Sequence, residues 1–173
     1  MIANRLPDES NDSVNLIVSL LVRHPELSRV RIKPRFAAIA FFFIVRERLS
    51  DNEQARVRAR VLAHVHALHR LDGTRAPRID VRFRTERNAT FVEIERDTRT
   101  LAREEISLVV ELVALEFGER LMVNPPSDEA LDDDLGGRDD AVGSALDAGR
   151  RGKQRKGLVG LRDDRRVLIY FGK

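Results

Sequence analysis

The sequence predicts an α+β fold that uses a ββα unit twice. This gives a mainly antiparallel four-stranded sheet with helices on one face, preceded by an N-terminal helix and followed by a C-terminal β-hairpin. Three observations predict it. Stretches with a two-residue apolar period alternate with stretches repeating at helical spacing. The order hairpin, cap, helix recurs at an offset of about fifty residues. Hydrophobic residues make up 42% of the 173, enough for one core.

The first helix takes Asp12 or Ser13 as its N-cap and ends near His24, because Pro25 forbids continuation. Val14, Ile17, Val18 and Leu21 form one stripe, and Leu16 and Leu20 add apolar surface on the opposite side. A hairpin follows. Val30 and Ile32 alternate with Arg29, Arg31 and Lys33; Lys33 to Arg35 turns; Phe36 to Arg46 forms a strand that is apolar on both faces through Phe41, Phe42, Phe43, Ile44 and Val45. Such a strand belongs inside a sheet or under a partner.

Ser50 and Glu53 form a capping box for the second helix, which runs to about Leu71 with Gly73 after its end. Its expected buried arc is Val57, Val61, His64, Leu68 and Leu71, flanked by Val65. The second hairpin sets Ile79, Val81 and Phe83 against Val92 and Ile94, turning at Arg87 to Ala89. The third helix starts near Thr100, with Glu104 and Glu105 favoured by its dipole. Its main stripe is Ala102, Ile106, Val109, Val110, Val113 and Phe117, and a second ridge carries Leu108, Leu112 and Leu115. Matching Val30 to Ile79, Phe41 to Phe91, Ile44 to Ile94 and Ser50 to Thr100 defines repeats over 29–72 and 78–121.

Charge divides the remainder. Residues 1–125 form the core domain, at net +3. Residues 126–149 hold eight acids against Arg138, a net of −7, and read as a flexible linker. Residues 150–173 hold nine bases against Asp163 and Asp164, a net of +7, and include a third hairpin from Leu158–Leu161 and Val167–Phe171, turning at Arg162–Arg165. An isolated two-stranded hairpin is marginal in water, so this one is expected to dock on a sheet.

The absence of cysteine excludes disulfide scaffolds, thiol nucleophiles and zinc ribbons. No Walker loop, dinucleotide-binding glycine fingerprint, nucleophile elbow or His-Glu-x-x-His helix occurs. No catalytic residue, metal site or cofactor is therefore expected. His66 and His69 have metal-pair spacing but are expected to point outward. Glu93 and Glu95 read as a cross-strand charge ladder with Arg82 and Arg84. The apolar runs Val14–Val22 and Phe36–Val45 are about half the roughly 20 residues of a membrane span. With no signal-peptide grammar at the N-terminus, the expectation is a cytoplasmic chain without a membrane partner.

Three functional readings follow. The first is a non-enzymatic interaction or regulatory module, self-associating or bound to a protein partner through surplus apolar surface at Phe41, Phe43, Val45, Leu108, Leu112 and Leu115. The second is an RNA- or ribosome-associated protein contacting phosphate through Arg150, Arg151, Lys153, Arg155 and Lys156, helped by Arg31 and Lys33 on the first strand. The third is a small-molecule site between the two repeats.

Overall fold

The computed structural model describes residues 8–34, 37–74, 77–124 and 157–172. The chain is α+β, with three helices and one antiparallel six-stranded sheet. The elements are α1 (Asp8–Arg23), β1 (Arg29–Lys33), β2 (Ala38–Val45), α2 (Asp51–Leu71), β3 (Ile79–Glu86), β4 (Ala89–Asp97), α3 (Arg103–Phe117), β5 (Gly157–Asp163) and β6 (Arg166–Gly172). The strand order is β3-β4-β2-β1-β5-β6. No described helix is long and apolar enough to cross a membrane.

The expected four strands become six because the third hairpin docks on its own sheet. β5 pairs with β1, setting Val30 opposite Gly160 and Ile32 opposite Leu158. The first two hairpins meet through β2 and β4, with Phe41 opposite Ile94 and Phe43 opposite Val92. This register corrects the matching of repeats. Phe41 and Ile94 face the helices while Ile44 and Phe91 face away, so pairing Phe41 with Phe91 equates residues on opposite faces. Side chains alternate along a strand, and a slip of one residue accounts for the error.

Alternation also sorts the whole sheet into two sides. Val30, Ile32, Ile39, Phe41, Phe43, Val45, Val81, Val92, Ile94 and Leu158 point to one side and join the helices in a single buried cluster. All three helices lie on that side. α2 contributes Val57, Val61, Val65 and His69, an i+4 row. The row drifts slowly round the helix, so His69 is buried while His64 is exposed and Leu71 is 86% exposed, reversing the expected roles. The α2 capping box forms as expected, with Ser50 and Glu53 satisfying each other's backbone amides. α3 starts at Arg103 instead, because Thr100 is held in a turn by the Asp97 carboxylate.

α1 begins at Asp8, earlier than expected, and rests on β1, β5 and β6. Its close approach depends on one small residue. A Cβ placed on Gly160 would stand 2.0 Å from Ile17 Cγ2 and 3.0 Å from Leu21 Cδ1. α1 and β5 are thus seated on each other by a missing side chain.

His24 follows α1 in a half-buried position, and burial, then the neighbouring Arg23, lowers its pKa from 6.5 to about 4. Between those values the unfolded chain binds a proton that the folded chain refuses, so stability falls as pH falls through this window. For Glu95, burial pushes the carboxyl up, but Lys33 and Arg82 more than offset it and leave it below its ordinary range. Its contribution is lost only as pH drops below about 4.5, the ordinary carboxylate value.

Two expectations follow. Gly160→Ala should lower stability by about 1–3 kcal/mol through overpacking. In denaturant titrations, combining it with Ile17→Ala should cost less than the sum of the two single changes. The melting temperature should decline from pH 6.5 to 4, and His24→Gln should remove that decline while leaving the loss at lower pH.

Candidate functional site

With every helix on one side, β1 to β6 turn their remaining side chains onto an open face. β2 supplies Ala38 and Ala40 there, then Phe42 and Ile44. The two alanines are fully buried although no helix lies over them. Cationic side chains close that gap. Arg31 and Lys33 on β1 reach across β2 to carboxylates on β4: Arg31 Nη2 donates to Glu93 Oε1 at 3.0 Å, and Lys33 Nζ bonds Glu95 Oε2. β1 and β4 are two strand spacings apart, roughly 9–10 Å, so these side chains must lie across the alanines.

The expected charge ladder is present but wider than a hairpin. Arg82 on β3 bonds Glu95 Oε2 at 2.8 Å and lies 3.6 Å from Glu93 and 3.1 Å from Asp80. Arg84 pairs instead with Glu86. Glu93 and Glu95 are thereby shared by cations from both sides.

Beside this ladder lies a concavity of about 610 Å³ spanning both hairpins. Arg29, Arg31, Arg82, Arg84 and Arg162 line it, with Glu93 as the one acid. Its apolar lining comes from Phe42, Ile44, Phe83, Phe91, Met122 and Leu161. Guanidinium groups sit over the rings: Arg29 and Arg31 lie 5.3 and 5.1 Å from the Phe42 centroid, and Arg84 lies 5.5 Å from that of Phe91. Arg31 Nε is buried and has no acceptor among the described residues. The arrangement offers stacked planar cations above an apolar floor, a surface suited to anions that carry flat rings.

A second polar cluster lies on the helix side and is closed. Arg96 on β4, Glu105 on α3 and His69 on α2 are 1%, 0% and 4% exposed. Arg96 pairs with Glu105 through two nitrogens, Nε to Oε1 and Nη2 to Oε2 at 2.9 Å. It also donates to the Arg78 carbonyl at 2.8 Å and to Asp97 Oδ1 at 2.6 Å. His69 Nε2 donates to Glu105 Oε2 at 2.8 Å, since a carboxylate in this ion pair only accepts, and Nδ1 meets Thr74 Oγ1 at 2.7 Å. Every member finds its partners within the cluster, so its role is to fix α2 and α3 on the sheet.

Of the expected site residues, Arg31 and Lys33 are on the open face, committed to Glu93 and Glu95. Arg150, Arg151, Lys153, Arg155 and Lys156 lie outside the described residues. Phe41, Phe43 and Val45 are 2%, 0% and 0% exposed, enclosed by the chain's own helices, and have no surface left for a partner. Leu108 and Leu112 are half-buried and Leu115 is 82% exposed on α3. His69, expected outside, is buried.

The sequence reading missed Arg96, Glu105 and Phe42. Arg96 continues the inward row of Val92 and Ile94, and Glu105 sits within the apolar stripe of α3, so periodicity carried a signal for both. Among the described residues, no group of three or more histidines and acids is placed to hold a metal. Comparison with protein-family models, curated proteins and solved structures gives no match.

Removing one side of a buried pair strands the other charge. Arg96→Met should therefore destabilise the fold by about 3–5 kcal/mol. Arg96→Met combined with Glu105→Leu should recover most of that loss in chemical denaturation.

Proposed function

We propose that this chain is a cytoplasmic, non-enzymatic binding module that takes single-stranded RNA on the open face of its sheet. The observation that carries this reading is the concavity in which five arginines and one acid surround Phe42 and Phe91. Sequence-independent recognition of single strands combines a cationic groove with flat groups on which bases stack, and guanidinium planes serve as well as rings. Arginine also suits phosphate, because its planar fork donates two parallel bonds to the oxyanion.

The same surface supports binding over catalysis. Its central acid, Glu93, is held by Arg31 and lies 3.6 Å from both Lys33 and Arg82, so it is poorly placed to move protons. The buried histidine and its glutamate face away from this surface. The basic run Arg150 to Lys156 immediately precedes β5 in sequence. In this reading it adds nonspecific phosphate contacts beside the sheet. The two hairpin–helix units are read as an internal duplication, and the concavity draws side chains from both.

A labelled oligouridylate titrated at several salt concentrations tests the proposal. The logarithm of affinity should fall linearly with the logarithm of salt, by about 0.7 per phosphate contact. Phe91→Ala should cost about 1–3 kcal/mol of binding, the range for one stacked base. Arg29→Ala with Arg84→Ala should reduce the salt slope by about 1.4, roughly 0.7 for each arginine. A flat salt profile overturns the reading. So does binding that ignores these three face substitutions and vanishes when residues 150–156 are neutralised.

A further inference from the structure

The two edges of the sheet differ, and the difference points to a second copy of this chain. β3 is a guarded edge. It presents Asp80, Arg82, Arg84 and Glu86 to solvent, and Arg58 Nε from α2 donates to the Val81 carbonyl at 3.1 Å. Charges and a covered backbone are what keep an edge from pairing with another strand. Among the described residues, β6 has neither device. It reads Val167-Leu-Ile-Tyr-Phe171 between Arg166 and Gly172, with Tyr170 51% and Phe171 50% exposed.

The hairpin geometry shows which backbone groups are open. β5 and β6 join through a two-residue turn at Asp164 and Arg165, so the pair that closes it, Asp163 and Arg166, exchanges both its hydrogen bonds. Counting by twos, Leu168 and Tyr170 also bond β5, while Val167, Ile169 and Phe171 turn their N–H and C=O groups outward. The same count on β3 turns the Val81 carbonyl outward, where Arg58 meets it.

We infer that β6 pairs antiparallel with β6 of a second copy, about a twofold axis at Ile169. In that register Val167 meets Phe171 and Leu168 meets Tyr170 on both halves, all apolar pairs. Arg166 stands opposite Gly172, so within β6 no like charges oppose each other. The three outward residues of each strand then face one another as hydrogen-bonded pairs, which no one-residue shift achieves.

α1 supplies independent support. Its flank bearing Arg23 faces α3 across the groove that Arg103, Ser107 and Leu108 line. The opposite flank, above β6, carries Val14, Val18 and Val22, all half-buried. In the dimer two such ridges would lie over the seam, about 14 Å apart at three strand spacings, with Phe171 and Ile169 of both copies between them. The alternative occupant, the acidic stretch 126–149, is rich in aspartate and glycine, residues depleted in strands.

The inference does not rest on RNA binding and is tested without it. By light scattering and sedimentation, the full chain should show twice the 19.7 kDa of one copy at micromolar concentration. Phe171→Pro removes an outward N–H and leaves the β5 ladder intact. It should halve the mass while leaving the circular dichroism unchanged. The chain has no cysteine, so Ile169→Cys places a single thiol on the twofold axis and should give a disulfide-linked dimer on mild oxidation. A monomer at every concentration overturns the inference. So does a dimer that Phe171→Pro leaves intact and Ile169→Cys fails to cross-link. A monomer whose β6 amides lose protection from exchange when 126–149 is deleted overturns it too, in favour of the acidic arm.

Discussion

One-sided coverage is the constraint on which the rest of this molecule depends. Three helices on one side of a six-stranded sheet make a single core, and they leave the other side to be finished by strand residues alone. The centre of that side is not built from polar side chains. It is built from Ala38 and Ala40, which are low enough for Arg31 and Lys33 to lie across them and bond Glu93 and Glu95. The resulting layer is thin and charged, and it links β1 to β4 over the strand between them. Longer residues at 38 and 40 would lift the cations away from their carboxylates. The concavity next to this layer opens where β2 switches from alanine to Phe42 and Ile44.

The helix side meets a different requirement. It encloses an arginine, a glutamate and a histidine, groups whose burial is costly unless every donor and acceptor is matched. Matching here draws on β4, α2, α3 and the turn after β4. A buried pair of this kind adds little net stability over an apolar core, but it punishes misplacement of any of its parts. It acts as a register pin, holding α2 at the rotation that buries His69 and exposes His64.

Local signals in the sequence located most elements. The Ser50 and Glu53 box, the inward stripe of α3 and the alternation of β3 and β4 all depend on neighbours a few residues away. What could not be read was set by distant partners. Nothing near Leu158 says that it will lie beside Ile32, and so the greasy strand at Phe41 to Val45 looked in need of an outside partner when the helices already enclose Phe41, Phe43 and Val45. His69 was misplaced because an i+4 row was read as a straight stripe. The open face was legible in composition, as arginines alternating along β1, but not in shape. Its alanine floor reads in sequence as mere strand filler.

Pairing Arg31 with Val159 joins segments that lie far apart along the chain. During synthesis β1 emerges early and its outer edge then waits, unpaired, while α2, α3 and the acidic stretch are made. The seat for Ile17 on Gly160 does not exist until that time either. A nascent chain arrested before β5 would therefore display a bare strand and an unseated amphipathic helix together, the combination that chaperones recognise and that drives aggregation. Dependence on a hairpin translated well after β1 leaves β5 and β6 to be added to a sheet already begun, and ties the yield of folded protein to how soon that hairpin follows.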